Sequence, residues 1–224
     1  MEERIFEEVK YLISYPDGFS EDKKYPLVVF LHGAGTRAET TEKLYKNTCL
    51  LNIQKRQTER GYIVLAPLCP LSMFSWNELM ASLLRLIGTY RDLPYIDETR
   101  VHITGNSMGG YGTWEIAVLR PDWVASAMPV CGGGTPTAAR VLVDIPIRTF
   151  HGLCDKTVDP IESLQMAKAV NMYGGHAELI LFPHLTHNCW DAAYSDERNY
   201  DWLLSFSTER DKTLVEQLSG TYYG

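Results

Sequence analysis

Apolar stretches of strand length recur along the chain, and small or turn-forming residues follow most of them. These stretches lie at 27–31, 62–66, 101–104, 125–130, 146–150 and 177–182. The first, Leu27-Val28-Val29-Phe30-Leu31, has no polar alternation, which is typical of a strand buried on both faces of a parallel sheet. Residues 4–15 mix β-branched and aromatic side chains with charges before the turn Pro16-Asp17-Gly18, and they predict one or two edge strands.

Segments of helix length separate these strands. They span 48–60, 76–90, 108–119, 160–173 and 190–205. Strands that alternate with helices indicate an α/β fold, in which helices flank a mostly parallel sheet on both faces. The segment 67–75 holds two prolines, and we expect it to form a loop over the carboxyl edge of the sheet, where ligands bind in open α/β folds. No linker or repeat divides the chain, so one domain over residues 1–224 is expected.

Composition and charge exclude several classes of function. With 21 Lys and Arg against 28 Asp and Glu, the formal charge of −7 argues against nucleic acid as a partner. No run of about 18 apolar residues predicts a membrane span, and the start MEERIFEEVK lacks the features of a signal peptide, so a cytoplasmic location is expected unless a leader was removed. The five cysteines form no C-x-x-C pair, which predicts buried free thiols without a metal site, and no cofactor is expected.

The motif Gly105-Asn106-Ser107-Met108-Gly109 is the main candidate for chemistry. G-x-S-x-G alone is a weak signal, but here it follows an apolar strand and begins a predicted helix, which is the setting of a nucleophile elbow. The elbow holds its serine on a strained turn, and the two glycines let the strand and the helix pass close together. The alternative is an inert glycine-rich turn. We expect Ser107 to be the nucleophile.

A serine nucleophile needs an acid and a base, each in a loop after a later strand. Asp144 precedes the strand at 146–150, whereas Asp155 and Asp159 follow it, and Asp159 is placed to cap the helix that begins at Pro160. Asp155 is therefore favoured as the acid.

The base is expected beyond the last strand, where His184 and His187 both lie. His187 is favoured because the next residues begin a helix that would fix its loop. The other four histidines, at 32, 102, 151 and 176, lie at strand ends or inside a strand and are expected to be structural.

Negative charge on the oxygen of the transition state requires backbone N–H donors. The Met108 N–H follows the nucleophile at a helix N-terminus, so it is one expected donor. The second is expected in His32-Gly33-Ala34-Gly35, after the strand 27–31, from Ala34 with Gly35 as the alternative. This segment lacks the spacing of a phosphate-binding loop, which argues against a nucleotide.

The strings LVVFLHGAG, RVHITGNSMGGYGTW, FHGLCDKTV and THNCWDAAY occur in that order. Together they resemble the α/β-hydrolase superfamily, within it the carboxylesterase, feruloyl-esterase-like and predicted-peptidase group, which is similar to acyl-protein thioesterases and prolyl oligopeptidase catalytic domains. The resemblance covers about residues 12–204. It implies the α/β-hydrolase fold with a minimal lid or none, and Ser107, Asp155 and His187 as the triad. It also implies that Trp76 lines the cleft, with Tyr111 and Trp190 as further candidates.

The expected activity is hydrolysis of small carboxylic esters, with acetyl or feruloyl-type acyl groups, through an acyl-enzyme on Ser107. A peptidase of the prolyl oligopeptidase type is the alternative, but such enzymes carry a large gating domain for which 224 residues leave no room. A non-catalytic binding protein would lack a triad member, and none is missing. The expected partner is a small-molecule ester; the sequence leaves monomer or homodimer open.

Overall fold

The computed structural model describes residues 1–209, which build an eight-stranded mixed sheet. The strands are β1 Glu2–Phe6, β2 Val9–Ser14, β3 Tyr25–Leu31, β4 Ile63–Pro67, β5 Ile96–Asn106, β6 Val124–Val130, β7 Ile147–Gly152 and β8 Ala177–Phe182. Their spatial order is β1-β2-β4-β3-β5-β6-β7-β8. β2 is antiparallel to β1 and β4, and every other pair is parallel. The predicted mostly parallel sheet is confirmed; residues 210–224 of the predicted domain lie outside the described residues.

Seven α-helices accompany the sheet in the described part of the chain. They are α1 Glu42–Tyr45, α2 Thr48–Arg60, α3 Met80–Arg91, α4 Met108–Leu119, α5 Ile161–Met172, α6 Trp190–Ser195 and α7 Arg198–Leu204, with short 3-10 helices at Ala34–Thr36, Trp76–Leu79 and Pro136–Leu142. α2 has its predicted bounds because both ends carry local signals. The Asn47 side chain accepts the Leu50 N–H, and Gly61 ends the helix in the left-handed region at φ +65°.

Each face of the sheet is covered by helices and forms its own apolar cluster. Leu27, Val29 and Leu31 of β3 point to one face, and Val28 and Phe30 point to the other. Helices α3, α4 and α5 pack on the first face, and α2, α6 and α7 pack on the second. This double burial explains the uninterrupted apolar run of β3. Among residues 1–209, no helix is long and apolar enough to cross a bilayer.

The predicted helix at 190–205 is wrong in extent, because the chain forms two helices there. Asp196 leaves the helical region at ψ 110°, and its carboxylate accepts the Arg198 N–H, which begins α7. The buried Asn199 and Tyr200 side chains then donate to carbonyls of α6, at Ala193 and Tyr194. These bonds replace the helical hydrogen bonds that the break removes.

Two strand predictions also need correction. β5 is longer than the predicted 101–104, because residues 97–100 are polar and at least partly exposed and so carry no apolar signal. The N-terminal segment forms two strands, which is one of the two predicted possibilities. Of these two, only β1 is an edge strand, since β2 lies between β1 and β4. The predicted loop is present, with β4 ending at Pro67 and residues 68–75 forming neither helix nor strand.

Candidate active site

Ser107 lies on the sharp turn between β5 and α4. Its backbone has φ +57° and ψ −118°, a region that non-glycine residues rarely occupy. The turn is tight because α4 starts directly against β3: a Cβ on Gly109 would overlap the Leu31 carbonyl oxygen and lie 2.5 Å from its carbon. The strained turn therefore depends on glycine beside it, and it leaves the Ser107 side chain half buried at the carboxyl edge of the sheet.

Three side chains from separate loops form a hydrogen-bonded chain at this edge. His187 Nε2 lies 2.8 Å from Ser107 Oγ, and His187 Nδ1 lies 2.7 Å from Asp155 Oδ2. Asp155 follows β7, and His187 lies between β8 and α6. The structure thus brings together the three residues that the sequence predicts as nucleophile, acid and base.

Asp155 is held as a carboxylate. Its Oδ1 accepts the N–H groups of Thr157 and Val158 at 2.8 Å and 3.0 Å. Burial opposes ionisation of Asp155, but the hydrogen bonds from His187, Val158 and Thr157 outweigh it and hold the pKa of Asp155 below its usual value. A charged Asp155 fixes the His187 ring with Nδ1 as the donor, so Nε2 faces Ser107 as an acceptor.

The alternative acids and bases lie elsewhere. Asp144 is exposed and precedes β7, and the Asp159 carboxylate accepts the Ile161 N–H, so it caps α5 as expected. His184 is exposed. His102 contacts Ser126 at 2.9 Å inside the sheet. None of these four takes part in the hydrogen-bonded chain of Ser107.

The two expected oxyanion donors lie at helix starts beside Ser107. Met108 is the first residue of α4, and Ala34 is the first residue of the 3-10 helix after β3. The first N–H groups of a helix have no partner within it, so they are available to a ligand. Gly33 brings the two segments together, because a Cβ at Gly33 would lie 3.4 Å from the Ser107 Cβ.

His32 fixes the segment that carries Ala34. Its Nδ1 donates to the Gly33 carbonyl at 2.8 Å, and its Nε2 accepts the Cys69 N–H at 3.0 Å. Burial lowers the pKa of His32 to about 4, so the ring stays neutral and keeps this pair of bonds. His32 is therefore structural, as predicted.

A cavity of about 580 Å³ adjoins Ser107. Ala34, Gly35, Ser107 and His187 line it, together with Trp190, whose ring meets the His187 ring edge-on at a centroid distance of 5.3 Å. Trp190 therefore lies where the sequence predicts it, in the lining of the cavity beside Ser107. Residues from α1 to the start of α2 also line the cavity, among them Lys43 of α1 and Lys46, which follows it.

Two of the predicted cleft residues lie elsewhere. Trp76 is a correction: only 1% of it is exposed, and its indole N–H donates to the His32 carbonyl at 3.0 Å. The Trp76 ring lies in the core between α4 and β3, where it is next to Gly112 and Leu31. Tyr111 lies one turn after Ser107 and is 37% exposed, but it does not line the cavity.

All five cysteines are free, and four of them, Cys49, Cys69, Cys131 and Cys189, are buried. Cys154 is the exception to the prediction of buried thiols, because it lies exposed in the loop after β7. Within residues 1–209, no group of three His, Cys, Asp or Glu side chains could hold a metal ion.

Sequence reasoning missed one contact of the site. His151, at the end of β7, places its Nε2 3.1 Å from Asp155 Oδ2, the oxygen that also contacts His187. The spacing of four residues between His151 and Asp155 was the available signal, but an apolar strand that ends in His-Gly does not reveal which way the ring turns.

No family model matches the chain. A solved thermostable esterase is 32% identical, with a TM-score of 0.81 over 89% of this chain and 59% of its own. Est1E from Butyrivibrio proteoclasticus is 15% identical, with a TM-score of 0.68 over 91% of this chain and 97% of its own. A Schizosaccharomyces pombe protein named "Putative dipeptidyl aminopeptidase" is 31% identical over 109 residues, which are 45% of this chain and 12% of that protein.

The chain thus spans less than two thirds of the esterase and about an eighth of the yeast protein. The resemblance predicted from the sequence is confirmed at the level of the fold: the chain has the α/β-hydrolase fold.

Proposed function

We propose that the protein is a serine hydrolase that cleaves carboxylic esters with small acyl groups. The observation that carries this proposal is the unbroken chain from Ser107 Oγ through His187 to Asp155, with contacts of 2.8 Å and 2.7 Å. A serine hydroxyl is a weak nucleophile until an adjacent base accepts its proton. Here the base is in contact and a buried carboxylate orients it, so the groups for acyl transfer are in place.

In the first half-reaction, Ser107 Oγ attacks the ester carbonyl carbon while His187 Nε2 takes the hydroxyl proton. The carbonyl oxygen becomes an oxyanion held by the N–H groups of Met108 and Ala34. Collapse breaks the bond to the alcohol oxygen, and His187 returns the proton to that oxygen. The products are a free alcohol and an acyl-enzyme on Ser107.

In the second half-reaction, water attacks the carbonyl carbon of the acyl-enzyme while His187 takes a proton from the water. The same two N–H groups hold the oxyanion, and collapse releases the carboxylic acid as Ser107 regains its proton from His187. Asp155 stays ionised in both halves and stabilises the imidazolium form of His187. The reaction needs no metal or cofactor in these steps.

Esters are favoured as substrates by the similarity to the thermostable esterase and to Est1E. The acyl groups expected from the sequence, acetyl or feruloyl-type, fit this class. Peptide cleavage is the second candidate, because the yeast relative is named as a dipeptidyl aminopeptidase. Both reactions use the same acyl-enzyme chemistry, so the leaving group is what distinguishes them.

A labelling and turnover experiment tests the proposal. A fluorophosphonate probe is expected to modify Ser107 in the folded protein, as located by mass spectrometry of the digest. 4-Nitrophenyl acetate and methyl ferulate should be turned over faster than matched peptide 4-nitroanilides. Labelling without ester turnover, but with anilide turnover, would favour the peptidase, and absence of labelling on folded protein would refute both.

The Ala34 donor can be removed without changing a side-chain contact of the triad. Ala34→Pro deletes the N–H, and proline is accommodated at the first position of a helix, where its φ already fits. We expect kcat for ester hydrolysis to fall by about 10²–10³-fold, the usual effect of losing one oxyanion donor. The measurement is steady-state kinetics on 4-nitrophenyl acetate.

Ala34→Gly is the matched control, because it keeps the N–H and is expected to retain most of the activity. If Ala34→Pro retains kcat while Gly35→Pro loses it, the second donor is Gly35. If neither loses kcat, the segment after β3 does not hold the oxyanion.

A further inference from the structure

Asp155 contacts two histidines with a single oxygen. Its Oδ2 lies 2.7 Å from His187 Nδ1 and 3.1 Å from His151 Nε2, while Oδ1 accepts the two backbone N–H groups described above. His151 is completely buried at the end of β7, so its ring nitrogens have only protein partners. The hydrogens on those nitrogens can therefore be assigned from the atoms they face.

The Nε2 atom of His151 carries a hydrogen. Its two neighbours are the Asp155 carboxylate oxygen and the Val158 carbonyl oxygen at 3.0 Å. Both are acceptors only. A bare nitrogen between them would place three lone pairs in contact inside the core, which is costly.

The Nδ1 atom faces the Ser163 hydroxyl oxygen at 2.8 Å. Ser163 has one hydrogen to donate. Its other neighbours are the Gly132 carbonyl oxygen at 2.7 Å, which can only accept, and the Thr149 hydroxyl at 3.4 Å, which donates to Ser163 Oγ. When Ser163 donates to Gly132, its oxygen accepts from Nδ1, so Nδ1 also carries a hydrogen. In a neutral His151 with its hydrogen on Nε2, the bare Nδ1 would need the Ser163 hydrogen. The contact between Ser163 and the Gly132 carbonyl would then have no hydrogen.

We infer that His151 is a buried imidazolium that pairs with Asp155, and that it is a positioning residue of the Ser107–His187–Asp155 site. The part of this inference that concerns turnover rests on the proposed function. A protonated ring satisfies every polar contact of the network and offsets the charge of the buried Asp155 carboxylate. It also orients Asp155, because it donates a second hydrogen bond to Oδ2 beside that of His187.

This pairing has a consequence for pH. His187 must be neutral to accept the Ser107 proton, and the negative charge of Asp155 favours its protonation. A second positive charge on the same oxygen opposes that protonation. The inferred imidazolium therefore keeps His187 neutral, and the enzyme active, at lower pH than Asp155 alone would allow.

The surrounding titratable groups do not replace His151 in this role. Tyr111 of α4, Glu162 of α5 and the thiols of Cys131 and Cys189 also lie near this network, and none supplies a positive charge. Lys156, next to Asp155 in the chain, is exposed to solvent. Burial raises the pKa of Tyr111, and a hydrogen bond with Cys189 raises the pKa of the Cys131 thiol.

His151→Gln provides the kinetic test, because glutamine is neutral and keeps an N–H donor for Asp155. We expect the acid limb of the kcat/KM profile for 4-nitrophenyl acetate to move to higher pH by about one unit. The matched control is His102→Gln, another buried histidine that lies inside the sheet and contacts Ser126. Its acid limb should stay in place even if its stability falls.

The protonation itself can be measured without turnover. In the inactive Ser107→Ala protein labelled with 15N-histidine, both ring nitrogens of His151 should carry hydrogen at neutral pH. The signals are assigned by comparison with variants in which one histidine at a time is replaced. Ser163→Ala, which removes the acceptor of Nδ1, should also move the acid limb upward and serves if His151→Gln does not fold.

A bare ring nitrogen on His151, or an acid limb that stays in place in both His151→Gln and Ser163→Ala, overturns the inference. Loss of the proposed ester hydrolysis would leave the nitrogen measurement unchanged. The two failures are therefore distinguishable.

Discussion

Replacing Ser107 with alanine is expected to reduce kcat for ester hydrolysis by about 10⁴–10⁶-fold, because the acyl-enzyme can no longer form. The oxyanion donors and the cavity stay in place, so a small residual rate above that of water is expected. The fold should persist, since the variant removes only the Ser107 Oγ contact with His187 Nε2. Steady-state kinetics and circular dichroism on the purified variant measure both effects.

Ser195→Ala is the matched control for this variant. Ser195 is exposed at the end of α6, and its hydroxyl donates to the Ala192 carbonyl of the same helix. Its removal should leave kcat within about twofold of the parent protein. If Ser107→Ala keeps the parent rate, the nucleophile lies elsewhere and the proposed mechanism is wrong.

Gly109→Ala is expected to destabilise the protein by more than about 4 kcal/mol. The added Cβ would overlap the Leu31 carbonyl oxygen and lie 2.5 Å from the carbonyl carbon. Both atoms belong to the backbone of the buried strand β3, so no side-chain rotation relieves the overlap. Urea unfolding at equilibrium measures the loss, which should appear as a lower midpoint or as failure to fold.

Gly35→Ala is the matched control, because a Cβ at Gly35 meets no atom within 4 Å. Its free energy of unfolding should stay within about 1 kcal/mol of the parent. Equal stability of the two variants would mean that α4 can move away from β3 at little cost. The close contact would then not be what holds the elbow.

The parts of this fold that the sequence predicts correctly are those with local causes. β3 is an uninterrupted apolar run because both faces of its strand are buried. α2 starts and ends where Asn47 and Gly61 place their caps. The site follows from the same logic, since Ser107, Asp155 and His187 each lie in the turn or loop that follows a predictable strand.

The predictions that fail depend on contacts between distant segments. The sequence around Trp76 is compatible with a cleft residue and with a core residue. The indole N–H can be buried in the core because the His32 carbonyl accepts its hydrogen bond. The break between α6 and α7 depends on which buried side chains reach the carbonyls of α6. The contact of His151 with Asp155 depends on how the loop after β7 folds back onto its own strand. No local pattern encodes these choices.

The close approach of Gly109 to Leu31 also bears on how substrate range evolves in such a protein. Main-chain packing between β3 and α4 sets the positions of the proposed nucleophile and of the proposed oxyanion donors. Both donors are backbone amides that any residue except proline provides. The side chains at 34 and 108 are therefore unconstrained by the chemistry. Selection can exchange the residues that face the acyl group while the reacting atoms keep their places.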